Sequence, residues 1–368
     1  ASTDTTTALG EDDDNGSGFC SLLSLNEDAG TYIACVQGSP IGNHLPQDNV
    51  VVDITATPVV TQPGDVGDLS DPKPVTLDFV EDTDLISSGG PADVDCYAFN
   101  VGSAGTLTIE TVDGAGGTDR CASGDLDTKV QLFDTTAQNN LLGENDDKDG
   151  AVENFCSRLV AAVPAGDYIA CVLPFGSTPP DLTGVEVDGT FASGTFPPIF
   201  MSEVADPVAP SSGNARFIEL FNPLPTDDVV LVGSRLRLFS NGGTSGANIN
   251  LDIGTTVPAS DTFLIAHGDA GLPTSFDTEF PDAPREPDQL NGGVNGNGDD
   301  AYELDLAGVP VDVYGLIGQD GTGQLWEYLD GGAQRNATVT GPTTTSDVND
   351  WTVFTGAADD SGFTPGTP

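Results

Sequence analysis

Apolar and polar residues alternate with a period of two through Val75–Phe79, Cys96–Val101, Gly105–Val112 and Lys129–Phe133. That rhythm predicts short, half-buried β-strands. The aromatic residues, Trp326 and Trp351 among them, also alternate with polar neighbours, as core-facing strand positions do. Gly (46) and Pro (26) make up about a fifth of the 368 residues, more than long helices tolerate. No apolar run approaches the ~20 residues of a membrane-spanning helix. The expected fold class is therefore all-β.

Self-similarity organises the first half. Leu9-Gly10-Glu11-Asp12-Asp13-Asp14 recurs as Leu142-Gly143-Glu144-Asn145-Asp146-Asp147, and Phe19-Cys20-Ser21 as Phe155-Cys156-Ser157. Ala29-Gly30-Thr31-Tyr32-Ile33-Ala34-Cys35-Val36 recurs as Ala165-Gly166-Asp167-Tyr168-Ile169-Ala170-Cys171-Val172. A fixed internal repeat marks a structural unit used twice. The second copy is preceded by about 65 residues of strand-like sequence that the first copy lacks. Ala1, with no Met and no signal-like segment, then reads as the start of a processed or trimmed chain that opens partway through a sandwich. Such a unit would expose strand edges, and two explanations compete: the chain is cut from a longer repeat array, or a neighbouring subunit supplies the missing β-structure by strand addition.

Six cysteines, at 20, 35, 96, 121, 156 and 171, form no CxxC and no common zinc spacing. Their even number points to disulfides in an oxidising compartment. Because the cysteines of each repeat lie 15 apart, Cys20–Cys35 and Cys156–Cys171 are the expected pairs, leaving Cys96–Cys121.

Charge narrows the functional classes. Ten Lys and Arg face 58 Asp and Glu, a formal net charge of −48. So acidic a surface has no general basic face for nucleic acid and is repelled by anionic membranes. The acid is mostly Asp (45) rather than Glu (13), a bias toward turns and loops and toward hard-cation ligands. Three loops are candidate Ca²⁺ sites: Asp12, Asp13 and Asp14 with Asn15; Asn145, Asp146, Asp147 and Asp149, joined by Asp125 and Asp127; and Asn295, Asn297, Asp299 and Asp300. The bland alternative for each is an Asx-rich turn bonded to its own backbone. The third is no EF-hand, since Leu306 stands where the bidentate Glu belongs.

His44 and His267 cannot build a His-rich metal centre, and His267, before Gly268-Asp269, reads as a turn histidine. There is no HExxH, G-x-S-x-G, Walker A or complete dinucleotide fingerprint. No catalytic constellation is expected. Asn15-Gly16-Ser17 and Asn336-Ala337-Thr338 are N-glycosylation triplets of the kind that arise by chance in a Gly/Asn-rich chain.

Asp95-Cys96-Tyr97-Ala98-Phe99-Asn100-Val101, Gly105-Thr106-Leu107-Thr108-Ile109-Glu110-Thr111, Val130-Gln131-Leu132-Phe133-Asp134 and Pro164-Ala165-Gly166-Asp167-Tyr168-Ile169 resemble the bacterial pre-peptidase C-terminal domain. That family is a β-sandwich appended to secreted proteins, often proteases, and some members bind Ca²⁺ or polymers. The resemblance covers about 75–190, with its second half repeated in 9–57. From about 196 the pattern changes. Ala215-Arg216-Phe217-Ile218-Glu219-Leu220-Phe221-Asn222-Pro223, Thr262-Phe263-Leu264-Ile265-Ala266-His267 and Asn297-Gly298-Asp299-Asp300-Ala301-Tyr302-Glu303-Leu304 resemble a bacterial lamin tail domain. The resemblance implies an immunoglobulin-like sandwich.

The expected organisation is a partial sandwich at 1–57, an acidic Pro/Gly-containing linker at 58–74, a complete pre-peptidase C-terminal-like sandwich at 75–195 and a lamin-tail-like sandwich at 196–368. The expected function is that of a non-catalytic extracellular or cell-surface structural protein. Identical subunits would join head to tail into a filament or matrix fibre, stiffened by disulfides and Ca²⁺. The competing expectation is the C-terminal accessory region of a secreted hydrolase that binds an extracellular polymer or glycan. Neither involves nucleic acid or membrane insertion.

Overall fold

The computed structural model describes residues 67–85, 93–114, 120–123, 126–136, 139–148, 154–175, 182–208, 215–268, 275–355 and 362–367. The chain divides into two compact units, 1–61 and 62–368. The partial sandwich, the first acidic loop and the Cys20–Cys35 pair all lie outside the described residues.

Within the second unit the architecture is all-β. Its first sandwich is built from β1 (Lys73–Pro74), β2 (Phe79–Leu85), β3 (Asp95–Val101), β4 (Gly105–Asp113), β5 (Thr128–Asp134), β6 (Leu141–Asn145), β7 (Arg158–Val163), β8 (Gly166–Pro174) and β9 (Leu182–Ser193), with a one-turn helix α1 (Arg120–Ser123). One sheet runs β1-β3-β8-β5-β6. The alternation read from sequence is observed in β4, whose Leu107 and Ile109 are buried while Thr106 and Thr108 are partly exposed. The strand expected over Val75–Phe79 begins only at Phe79. Asp78 turns the backbone to a φ of 60° and accepts a hydrogen bond from Phe191 N at 3.1 Å. The end of the expected linker is docked rather than free: Lys73–Pro74 pairs in parallel with Tyr97–Ala98, and Cys96 N donates to Gly67 O at 2.8 Å.

The second half contributes β10 (Phe200–Asp206), β11 (Phe217–Phe221), β12 (Val229–Leu231), β13 (Arg235–Phe239), β14 (Ala247–Asn250), β15 (Thr256–Val257), β16 (Thr262–Ala266), β17 (Gln289–Leu290), β18 (Ala301–Leu306), β19 (Val309–Tyr314), β20 (Gly331–Arg335) and β21 (Trp351–Phe354), plus a short α2 (Ser275–Glu279). One sheet runs β17-β16-β11-β10-β20-β21 and faces a second, β14-β13-β18-β19. Between them pack Ile218, Leu220, Leu236, Leu304, Tyr314, Trp326 and Trp351. The outer face of the six-stranded sheet carries a smaller aromatic cluster, in which Phe217 meets Phe276, Phe280 and Phe363 edge-on at 5.4–6.0 Å.

The two halves are joined by a common sheet. Its order is β15-β12-β7-β4-β9-β2, so that β12 and β15 from the second half extend a sheet of the first. β12 lies parallel to β7, with Val229, Val230 and Leu231 beside Val160, Ala161 and Ala162. Strand side chains alternate between faces. Leu159, Ala161, Val163 and Val230 therefore enter the first core, and Val160, Ala162, Val229 and Leu231 the second. A strand covered on both faces should be apolar throughout, and β7 is buried at every position after Arg158. Gly143 on β6 leaves room for Val230: a Cβ there would lie 2.5 Å from Val230 Cγ2.

The disulfides correct the expected pairing. Cys96 bonds Cys171, and Cys121 bonds Cys156. Alternation explains why. In β8, Tyr168, Ala170 and Val172 point into the sandwich, whereas Ile169 and Cys171 point out, beside Cys96. Cys156 sits in the interior core with Cys121. The 15-residue spacing thus carries the chain from one sheet to the other and places its two cysteines on opposite sides of the wall. Cys96 and Cys171 are direct cross-strand partners, with Cα atoms 4.1 Å apart.

Candidate functional site

The repeated acidic loop lies where β5 begins and β6 ends. Asp127 directly precedes β5; Asp146 and Asp147 directly follow β6. Burial raises the Asp127 pKa, and the nearby negative charges of Asp147 and Asp146 raise it further. Asp147 is likewise raised, by burial and then by Asp146. Asp127 Oδ1 is sealed from solvent and has no hydrogen-bond donor among the described residues. A cation would supply what this oxygen lacks. Asn145 is used differently: its Oδ1 accepts from Arg158 N at 3.0 Å and caps the start of β7. Asp125 and Asp149 lie outside the described residues. Among the described residues no three His, Cys, Asp or Glu side chains form a ready metal cluster.

The third loop is bonded internally. Asp300 is 2% exposed; its Oδ1 accepts from Asn241 N at 2.7 Å and its Oδ2 from Asn297 N at 3.1 Å. The Asn297 amide nitrogen, in the orientation its neighbours require, lies 2.6 Å from Asp299 Oδ1 and 2.9 Å from Asp300 Oδ2. Asn295 Oδ1 accepts from Arg216 at 2.7 Å, and Asp299 Oδ2 accepts from Thr322 Oγ1 at 3.2 Å. These contacts tie the 295–300 turn to the 240–243 and 320–322 loops, the work of an Asx-rich turn. His267 closes β16, with its backbone N donating to Arg216 O at 2.8 Å. Asn336 of the second glycosylation triplet spends its amide on Asn349 O and Thr352 Oγ1.

Two further arrangements were not singled out from the sequence. The first is the fate of the cations: each of the ten Lys and Arg residues lies within ion-pair distance of a carboxylate. Arg158 spans the junction between the halves, 3.5 Å from Glu110 and 3.4 Å from Asp227. Arg335 and Asp312 are 2% and 0% exposed, and the guanidinium stacks 4.2 Å from the Trp351 ring centroid. Asp312 also accepts from Met201 N and Thr343 N.

The second is a carboxylate pair, Glu203 and Glu219, on adjacent strands of the six-stranded sheet. The sequence signal for it is a Glu inside each of two apolar strands, Phe200–Asp206 and Phe217–Phe221. These buried groups and the ion pairs brace the fold; they do not form a nucleophile-and-base constellation.

No family model matches the chain, and no curated protein matches it. Among solved structures it is similar to the pre-peptidase C-terminal domain of collagenase from Bacillus anthracis, at 15% identity and a TM-score of 0.23. That match covers 33% of this chain and 93% of the other. The all-β sandwich architecture rests on the strand pairing itself. The two disulfides are compatible with an oxidising compartment. Among the described residues no helix is long and apolar enough to cross a membrane.

Proposed function

We propose that this chain is a non-catalytic structural unit of an extracellular or cell-surface protein. The observation that carries the reading is the common sheet, in which β12 of one half is hydrogen-bonded to β7 of the other and each strand feeds both cores. Domains in one chain move relative to each other by default unless their interface is large and apolar; a continuous sheet with two covered faces gives up that freedom and gains stiffness. The disulfides and the ion pairs that consume its basic residues serve the same end.

In its finer form, the unit is a subunit of a surface filament or matrix fibre. Copies join head to tail through the repeat-related segment 9–57, and residues 196–368 form a lamin-tail-like sandwich. Ca²⁺ held by Asp127, Asp146 and Asp147, completed by Asp125 or Asp149, would neutralise part of the charge. What supports the assembly is the sequence repeat, in which Leu9–Asp14, Phe19–Ser21 and Ala29–Val36 recur as Leu142–Asp147, Phe155–Ser157 and Ala165–Val172.

Electron microscopy and sedimentation of the purified chain, with and without Ca²⁺ and across salt concentrations, test the proposal. Fibres or concentration-dependent oligomers are expected. Monomers under every condition would overturn assembly. Monomers that co-sediment with an insoluble extracellular polymer would instead favour the accessory region of a secreted hydrolase.

A further inference from the structure

Residues 362–367 lie across the outer face of the six-stranded sheet, over Glu203 and Glu219. These two are cross-strand partners on β10 and β11, each 1% exposed. The overlying strap bonds to both. Thr364 N lies 3.3 Å from each Glu203 oxygen, and Thr364 Oγ1 lies 3.2 Å from Oε2. Gly366 N donates to Glu219 Oε2 at 2.6 Å, and Ser202 Oγ donates to its Oε1 at 2.6 Å. Gln334 Nε2 ties the layers together through Thr364 Oγ1 at 2.8 Å and Gly362 O at 2.9 Å. Phe363 fills the aromatic cluster beside them, between Phe217, Phe280 and Phe354. Gly366, with a φ of +79°, lies beneath Pro284 and Arg285: a Cβ there would be 3.1 Å from Arg285 Cγ.

Neither glutamate has an ion-pair partner among the described residues. Arg285 is the basic group nearest the strap, and its guanidinium is committed to Asp288 at 2.6 Å, to Asp261 at 3.5 Å and to the Thr262 carbonyl. Arg335 on β20 pairs with Asp312 in the interior, and Arg216 before β11 pairs with Asp206 of β10. The other titratable groups on the surrounding elements are Asp277 and Glu279 on α2 and Asp282 and Glu286 after it, all acidic, and His267 just beyond β16. Two like charges directly opposite on neighbouring strands repel, and the Arg285 charge, which favours ionised Glu219, does not outweigh burial there.

We infer that the 362–367 strap is a proton-held latch: it stays seated while the Glu203–Glu219 pair retains a proton and lifts when both carboxylates ionise. Lifting admits water to the paired charges and uncovers the aromatic cluster that Phe363 fills. The strap donors, and Arg285 near Glu219, favour the ionised forms, but burial outweighs them: burial, then the charge of Glu219, pushes Glu203 up to about 8, and burial pushes Glu219 up to about 7. The latch thus responds in the neutral-to-alkaline range rather than in acid.

Amide exchange in the intact chain, followed by NMR from pH 6 to 9.5 and normalised to the intrinsic rate at each pH, reads the latch directly. Protection of the Thr364 and Gly366 amides is expected to fall as pH rises through about 7 and about 8, roughly tenfold per pH unit between those values, the slope of one linked proton, and to level off above them, where both carboxylates are ionised in the seated state as well. Ile218 and Leu220 should stay protected, which separates local lifting from unfolding. In the Glu203→Gln, Glu219→Gln double variant, with neither carboxylate left to titrate, the strap amides should hold constant protection. A flat wild-type profile, or a decline that survives in the double variant, would overturn the latch; the wild-type titration decides even where the variant folds poorly.

Discussion

Val229 and Val160 lie side by side across the parallel β12–β7 junction and enter the same core, while the next pair along, Val230 and Ala161, enters the other. The two sandwiches therefore share a wall, and neither core closes without residues from the other half. Unfolding should be one event. Both tryptophans, Trp326 and Trp351, belong to the second core; Tyr97 and Tyr168 report on the first. Val230→Ala removes a methyl pair from the first core and should cost roughly 2 kcal/mol. In denaturant titrations the tryptophan and tyrosine signals should move together to the lower midpoint. Two separated transitions would show that the junction does not couple the halves.

The disulfides make a second prediction. Peptide mapping without reduction should recover Cys96 linked to Cys171 and Cys121 linked to Cys156. These close separations of 75 and 35 residues. On the chain-entropy model each contributes on the order of 4 kcal/mol. Removing Cys96 and Cys171 together as serines should lower the denaturant midpoint accordingly. A Cys156–Cys171 peptide would contradict the strand alternation that separates them.

The pairing also shows what the sequence could and could not disclose. Strand class was legible because period-two burial is a local property, visible in Gly105–Val112 before any fold is known. The partner of Cys171 was not, because 15 residues of spacing do not say which face of which sheet each cysteine occupies. The common sheet was hidden for a similar reason. Val229-Val230-Leu231 reads as an ordinary short apolar run, and its attachment to Arg158–Val163 is a non-local pairing. Asp146 and Asp147 stand out through the repeated acidic loop, to which Asp127 is added as a nearby acidic residue, whereas the Glu203–Glu219 pair depends on a cross-strand register no local pattern encodes.

Arg335 and Asp312 are the most deeply buried ion pair among the described residues, 2% and 0% exposed. Removing one partner leaves a charge in the interior with no compensation, a loss of about 3–5 kcal/mol. Arg335→Ala should fall in that range and shift Trp351 emission, since the guanidinium stacks on that ring. Arg237→Ala, whose partner Glu303 sits in a less buried setting, should cost under about 1 kcal/mol. Equal losses measured by denaturation would contradict the ranking.

The glutamate pair gives a pH dependence of stability with a definite sign. Both groups titrate higher in the folded protein, at about 8 and about 7, than their ordinary value of 4.5. The folded state therefore holds protons that the unfolded chain has released. Their contribution is complete below about pH 4.5 and is lost as pH rises through 7 and 8. Most exposed carboxylates are already ionised by pH 6, and comparison with a variant lacking both glutamates separates the pair from every other group that titrates between pH 6 and 9. The unfolding free energy should decline across it in wild type and flatten in a Glu203→Gln, Glu219→Gln double variant. A wild-type profile that rises over this interval would reverse the assignment.

Charge makes the last prediction. With ten basic residues against 58 acidic ones, and those ten engaged in ion pairs, the remaining carboxylates have no cationic side chain left to face. Their mutual repulsion is relieved only by ions from solution, which screen over ~8 Å at physiological ionic strength. Thermal stability should rise with NaCl from low salt upward. Ca²⁺ at millimolar concentration should add an increment that an equal ionic strength of NaCl does not reproduce. The orphaned oxygen of Asp127, close to the negative charges of Asp147 and Asp146, locates that increment. Asp127→Asn should remove the Ca²⁺-specific part and leave the salt response intact. Asp299→Asn, in a turn whose oxygens already bond within the protein, should leave both. A melting temperature that ignores Ca²⁺, or a Ca²⁺ response that persists in Asp127→Asn, would remove the repeated loop as a cation site.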